Sequence, residues 1–159
     1  MMSWRDMDND SRVWIYQSDR ELSKEEGDFI VQQGEHFIES WTAHGAKMKA
    51  SIALFHQTHL VIFADESAAQ ASGCSIDASV HFVQDLGKEL NVDFFNRLKV
   101  AVSKENRIHL FHSSELTKKI KAEELTWEDT TFDNLVSTKS DFEKKWRIPL
   151  KNSWLAQAV

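Results

Sequence analysis

The sequence predicts an α+β fold: a mainly antiparallel sheet with a ferredoxin-like βαββαβ core, an added hairpin strand and a C-terminal extension. Three observations lead to it. Apolar runs of strand length occur in two close pairs, at 48–64 and 98–111, each joined by a short polar turn. Two longer stretches, 23–45 and 75–90, place their apolar residues at helical spacing. These segments follow one another as strand, helix, strand, strand, helix, strand, the order of a split βαβ sheet.

Along the chain, residues 1–10 are polar and rich in Asp, Asn and Met, so a flexible leader is expected before a single domain over 11–159. Val13, Trp14, Ile15 and Tyr16 are β-branched or aromatic without a break, which favours a strand buried on both faces. Ser23 followed by Glu26 has capping-box spacing, with Leu22 before it as a hydrophobic staple, so a helix starts there. Its apolar side is Ile30, Phe37, Ile38 and Trp41, and Gly45 after His44 reads as a left-handed C-terminal cap. Gly34 falls mid-helix, where glycine lowers stability unless a neighbour packs closely against it.

Met48, Ala50, Ile52 and Leu54 alternate with other residues at the period of a half-buried strand, and Leu60 to Ala64 is wholly apolar. The connection through Gln57 and Thr58 is short enough for an antiparallel hairpin. After Asp65, small residues from Ser67 to Gly73 lead to a helix starting near Ser75, with Ile76, Val80, Val83, Gly87 and Leu90 as its apolar stripe. Leu98, Val100 and Val102 form another strand, and Ile108 to Phe111 returns beside it after the polar turn Lys104–Asn106. Ser114 caps a short helix through Ile120. The extension from Thr126 to Val159 holds a strand near Phe132–Val136 and a short helix near Asp141–Lys145, and no linker sets it apart.

Composition narrows the function classes. The chain has 159 residues, 42% of them hydrophobic, with 19 basic and 25 acidic side chains for a net charge of −6. At this charge a basic surface that tracks phosphates is not expected, nor is nucleic acid as a partner, and net charge leaves a local basic strip open. The single cysteine cannot form an internal disulfide, and the charged first 20 residues do not read as a signal peptide, so a cytoplasmic location is expected. No apolar run reaches the length of a membrane span.

The segment from Asp65 through Ala71-Ser72-Gly73-Cys74-Ser75-Ile76-Asp77 is the most specific in chemical terms. Small residues allow close backbone approach, and the start of a helix offers unpaired amides with partial positive charge. His44, Asp65, Ser72, Gly73, Ser75 and Asp77 are therefore candidate ligand-binding residues for a small ligand or a protein, with no cofactor expected. Cys74 is the candidate nucleophile or redox-sensitive thiol, with His44 or His81 as its base; its other reading is a small side chain packed under the helix start. Ser72 or Ser75 then serves as the cap. Among seven histidines, His56 and His59 flank the first hairpin turn and His109 and His112 stand three apart, but one cysteine removes the common zinc sets, so no metal is expected.

Of six tryptophans, Trp14 and Trp41 read as core. Trp127, Trp146 and Trp154 either clamp the C-terminal extension or present a surface for assembly with a partner. The segments Ser11–Gln17, Trp41–Gly45, Ala64–Ser67, Ala71–Asp77 and Phe132–Lys139 together resemble a family of small bacterial proteins often labelled ABC transporter ATPase. The resemblance covers Ser11 to Trp154 and implies a single-domain cytoplasmic protein; it brings no activity, cofactor or catalytic residue. The label itself requires a Gly-x-x-x-x-Gly-Lys-Ser/Thr phosphate loop, which the chain lacks, so a P-loop ATPase is excluded. The leading expectation is a binding module with a polar pocket at the turn before the second long helix. The alternatives are a thiol-dependent enzyme or redox sensor, and an interaction module built on the C-terminal tryptophans.

Overall fold

A computed structural model describes residues 1–158; Val159 lies outside the described residues. The elements in order are β1 (Arg12–Gln17), α1 (Lys24–Ser40), β2 (Thr42–Ala43), β3 (Ala46–Lys47), β4 (Lys49–Phe55), β5 (His59–Asp65) and α2 (Gly73–Leu90). Then follow β6 (Lys99–Lys104), β7 (Arg107–His112), α3 (Leu116–Lys121), β8 (Thr130–Phe132), α4 (Lys139–Lys145), β9 (Arg147–Pro149) and α5 (Leu155–Ala158). Helix and antiparallel sheet are both present, as an α+β chain requires. Among the described residues no helix is long and apolar enough to cross a membrane.

The strands form two main sheets. One has the order β1-β5-β4, the other β7-β6-β8-β9, and β2 and β3 make a separate small hairpin. Every residue of β5 is buried, because it is the central strand and both its faces are covered. Its even-numbered residues Leu60, Ile62 and Ala64 meet α1 and α2 in one core with Ile30, Ile38, Ile52 and Val83. Its odd-numbered residues Val61 and Phe63 meet Ala101 and Phe132 of the second sheet, with Phe142 and Trp146, in another. A third core lies on the outer face of the second sheet, where Val100, Val102 and Phe111 pack on Leu116, Leu125, Leu150 and Leu155. The layers are therefore a helix pair, a sheet, a second sheet, and the short C-terminal helices and turns.

The expected ferredoxin-like sheet does not close. In it the strand after the second helix would pair with β1, but β6 pairs with β7 and β8 instead. The open edge of β1 is taken by the chain at 137–139: Val13 N–H donates to Ser137 C=O (3.0 Å), and Lys139 N–H donates to Ser11 C=O (2.8 Å). Among the described residues one hydrogen bond joins β1 to β6, from Gln17 Nε2 to the carbonyl of Lys99 (3.0 Å). A second apolar face, Ala101 and Leu110 with Phe132, gives β6 more buried surface across the sandwich than at the edge of a single sheet.

Four local expectations also change. Residues 1–10, expected as a flexible leader, pack on the sandwich: Trp4 stacks on Phe63 (5.2 Å between ring centres), Met7 is buried, and the buried ammonium of Lys139 donates to the carbonyls of Arg5 (2.9 Å) and Met7 (2.6 Å). Gly45 does not cap α1. The helix ends at Ser40, and His44 and Gly45, both with positive φ, turn the β2–β3 hairpin. The C-terminal strand is Thr130–Phe132, since Asp133 to Ser137 bends back towards β1. Leu98, expected inside a strand, precedes β6 and is exposed. The α1 capping box forms as expected, with Ser23 and Glu26 bonded reciprocally.

Candidate functional site

The turn between β5 and α2 is held by its own side chains. Asp65 is buried at the end of β5, where one carboxylate oxygen accepts the Ser67 N–H (2.9 Å) and the other faces Lys49 Nζ (3.4 Å). Those contacts, the Ser67 hydrogen bonds first, hold its carboxyl below the usual range. Glu66 accepts the Ala71 N–H (2.7 Å) and pairs with Arg12 (3.6 Å). Ser72 is the N-cap, Ser75 is buried one turn in, and the two satisfy each other's backbone amides, so α2 starts at Gly73, two residues earlier than expected. Asp65, Ser72 and Ser75 are thus already partnered within the chain, while His44, Gly73 and Asp77 are exposed.

Cys74 is exposed, which overturns its reading as a side chain packed under the helix start. The buried side of α2 is Ser75, Ser79, Val83, Leu86 and Gly87, and Trp41 Nε1 donates to Ser75 C=O (2.8 Å). Cys74 faces away from that side. His81 lies seven residues further along α2, about 10 Å by helical rise, beyond hydrogen-bond reach of the thiol. Among the described residues no hydrogen bond joins Cys74 to a histidine, and no cluster of three or more potential metal ligands occurs.

A different region gathers the features of a contact surface. Gln17, the last residue of β1, bonds on two sides: its Nε2 to the Lys99 carbonyl, and its Oε1 to Asn134 Nδ2 (3.1 Å). Asn134 Oδ1 in turn accepts the indole N–H of buried Trp146 (3.0 Å), so the relay is anchored in the core between the sheets. Each protein neighbour of Gln17 in this relay is followed or preceded by an exposed leucine, Leu98 before Lys99 and Leu135 after Asn134, the latter 90% exposed. Phe95, also exposed, packs edge-on against Tyr16 (5.5 Å). Three exposed large apolar side chains therefore surround the end of β1.

Phe95 also borders an open cleft of about 460 Å³ whose walls include Asp19, Gln84, Lys88 and Asn91 over a floor of Val83 and Gly87. Gly87 lets the chain after α2 fold tightly against the helix end: a Cβ there would stand 2.5 Å from the carbonyl oxygen of Val92, whose N–H donates to the Gly87 carbonyl (2.8 Å). Sequence periodicity missed this surface, since it assigns Leu98 and Leu135 to strands and so to the core. The available signal was the polar Asn96–Arg97 and Asp133–Asn134 before each leucine, turn residues that interrupt both runs. No family model, curated protein or solved structure matches the chain.

Proposed function

We propose that this chain is a protein-binding module whose partner docks at the end of β1, on Phe95, Leu98 and Leu135 and into the adjoining cleft. What supports the reading is the convergence of those three exposed apolar residues on Tyr16 and Gln17, two consecutive residues of one strand. Scattered single apolar residues are ordinary on a surface; a group of them beside a cleft favours an interface. The relay through Gln17 and Asn134 ties the loops that carry them, so the surface is presented without an ordering cost on binding. Of the three C-terminal tryptophans, Trp146 is buried and Trp127 packs against the third core, so only Trp154, 55% exposed, is placed to serve as a surface for a partner. The cytoplasmic location and the bacterial family that the chain resembles belong to this proposal.

A photo-reactive phenylalanine analogue placed at position 98 or 135 in the full chain tests it in the cell. A discrete adduct at both positions, absent from the same probe at exposed Lys144 and lost on Phe95→Asp, is the expected result. Equal labelling at positions 98, 135 and 144 overturns it.

A second reading rests on the exposure of Cys74: a redox-sensitive thiol at the start of α2. His81 is out of reach of the thiol, which leaves His44, of the two histidines expected as its base, for this reading.

A further inference from the structure

The end of the sandwich that holds Gln17 also holds an arginine with no acid beside it. Arg147 opens β9, directly after buried Trp146 and opposite Phe132 in the sheet. Its guanidinium carbon lies 5.6 Å from the centre of the Phe132 ring and 5.9 Å from that of Trp146. Its Nη2 lies 2.6 Å from Nε2 of His56, in the β4–β5 turn. A guanidinium only donates, so Nε2 of His56 accepts, and the imidazole is neutral with its proton on Nδ1. The two aromatic rings and this hydrogen bond fix the guanidinium from two directions.

Nothing around Arg147 compensates its charge. Among the described residues no carboxylate comes within ion-pair distance of it, whereas Arg20 forks onto both oxygens of Glu26 at 2.9 and 2.6 Å. Its charge acts on two imidazoles, His56 and His59. His59 is fully buried against the same two rings, 4.7 Å from Phe132 and 5.1 Å from Trp146. Its Nδ1 meets Thr58 Oγ1 at 2.8 Å, and its Nε2 has no partner among the described residues. The site is thus a fixed cation, backed by aromatic rings and a neutral imidazole, inside a chain whose net charge is −6.

We propose that Arg147 and His56 form a binding site for a carboxylate. Arg147 Nε and Nη1 have no partner among the described residues, and Nη2 keeps a second N–H beyond its bond to His56; that N–H runs parallel to Nε–H or to an N–H of Nη1, the fork that matches two carboxylate oxygens. A single guanidinium in an acidic protein favours a monoanion over a phosphate dianion, because the second charge meets only repulsion. Burial and the charge of Arg147 both lower the pKa of His56, so a carboxylate that neutralises Arg147 raises it again. Binding then takes up a proton at His56 Nε2, which exchanges the hydrogen bond from Arg147 for one to the carboxylate, and affinity rises as the pH falls through the range around and below 6.5. Neutral His59 lies behind this pair, and Asp133, next to Phe132, donates its backbone N–H to the Trp146 carbonyl (2.7 Å) while its carboxylate accepts the Leu135 N–H (3.1 Å).

The test is a titration of the labelled full-length protein with sodium acetate, followed by the Nε–H signal of Arg147 and the ring signals of His56. Saturable shifts at both, with a dissociation constant roughly tenfold or more below that at exposed Arg107, are expected of a fork with a second polar group at hand. Arg147→Lys keeps the charge but not the fork, so it weakens binding, and His56→Gln removes the pH dependence. A response at Arg147 that stays linear and equal to that at Arg107 overturns the proposal, as does an equal response to sodium chloride or tighter binding of inorganic phosphate. The site is independent of the docking surface: acetate binding and the photo-adducts succeed or fail separately.

Discussion

Gly34 of α1 stands so close to Ile52 of β4 that a Cβ at residue 34 would lie 2.6 Å from Ile52 Cγ2 and 2.9 Å from its Cδ1. The helix approaches the first sheet at this point because one residue has no side chain and its neighbour fills the space. Ile52 is buried and β-branched, so it cannot swing aside.

Gly34→Ala therefore destabilises the protein by about 1–3 kcal/mol from overpacking, more than the ~1 kcal/mol that alanine contributes to helix propensity. Gly73, where an added Cβ meets nothing within 4 Å, provides the comparison. Gly73→Ala is expected to be neutral or to stabilise by a few tenths of a kcal/mol up to about 1. Urea denaturation of both variants decides it, and an unchanged midpoint for Gly34→Ala would sink the close-packing account.

Burial holds His59 neutral and lowers its pKa from 6.5 to about 3, with the charges of His56 and Arg147 adding to the effect. The unfolded chain binds a proton there below pH 6.5 and the folded protein does not. Stability is thus complete above that pH and falls as the pH drops towards 3, by on the order of 4–5 kcal/mol in total. His59→Phe should flatten the stability profile between pH 6.5 and 4. A variant profile parallel to the wild type over that range would show that other groups set it.

Glu26 acts in the same direction over a lower window. The Arg20 fork and the Ser23 backbone N–H lower its pKa from 4.5 to about 2, so its contribution is present above pH 4.5 and is lost as the pH falls towards 2. Glu26→Gln keeps a partial capping box but loses the ion pair, and is expected to cost about 0.5–1.5 kcal/mol at pH 7 and little at pH 2. Equal costs at both pH values would assign the effect to the cap alone.

Lys139 secures the N-terminal segment, so Lys139→Met leaves two carbonyls without their donor at a cost of about 1–3 kcal/mol. The cost should appear locally. Trypsin is expected to cut after Arg5 several-fold faster in the variant than in the wild type. Identical cleavage rates would mean that Trp4 and Met7 hold the segment without the ammonium.

Cys74, being exposed, should react with iodoacetamide in the folded protein at a rate within about threefold of that in urea. Protection in the folded state would contradict its position on α2.

The strands and helices marked by a regular apolar pattern or a local cap were legible from residue order, although β4 is covered on both faces and not half-buried as its alternation implies. The alternation in 48–54, the apolar run of β5 and the Ser23–Glu26 box each encode their element locally, and each element forms. The cap of α2 was narrowed to Ser72 or Ser75 for the same reason, since its hydrogen bonds reach only three residues along the chain; the structure places it at Ser72.

What residue order could not decide was which edge each strand joins. Val100 and Val102 look the same whether β6 pairs with β1 or founds a second sheet, and the choice rests on Phe132, Phe142 and Trp146, far along the chain. Exposure was undecided for the same reason: Cys74 and Leu98 have ordinary packing side chains, and only the rotation of α2 and the start of β6 turn them to solvent. The Arg147–His56 contact spans 91 residues. Local sequence determines hydrogen bonds within a turn or a hairpin, whereas burial and long-range contacts depend on how whole faces pack, and no short window of sequence contains both faces.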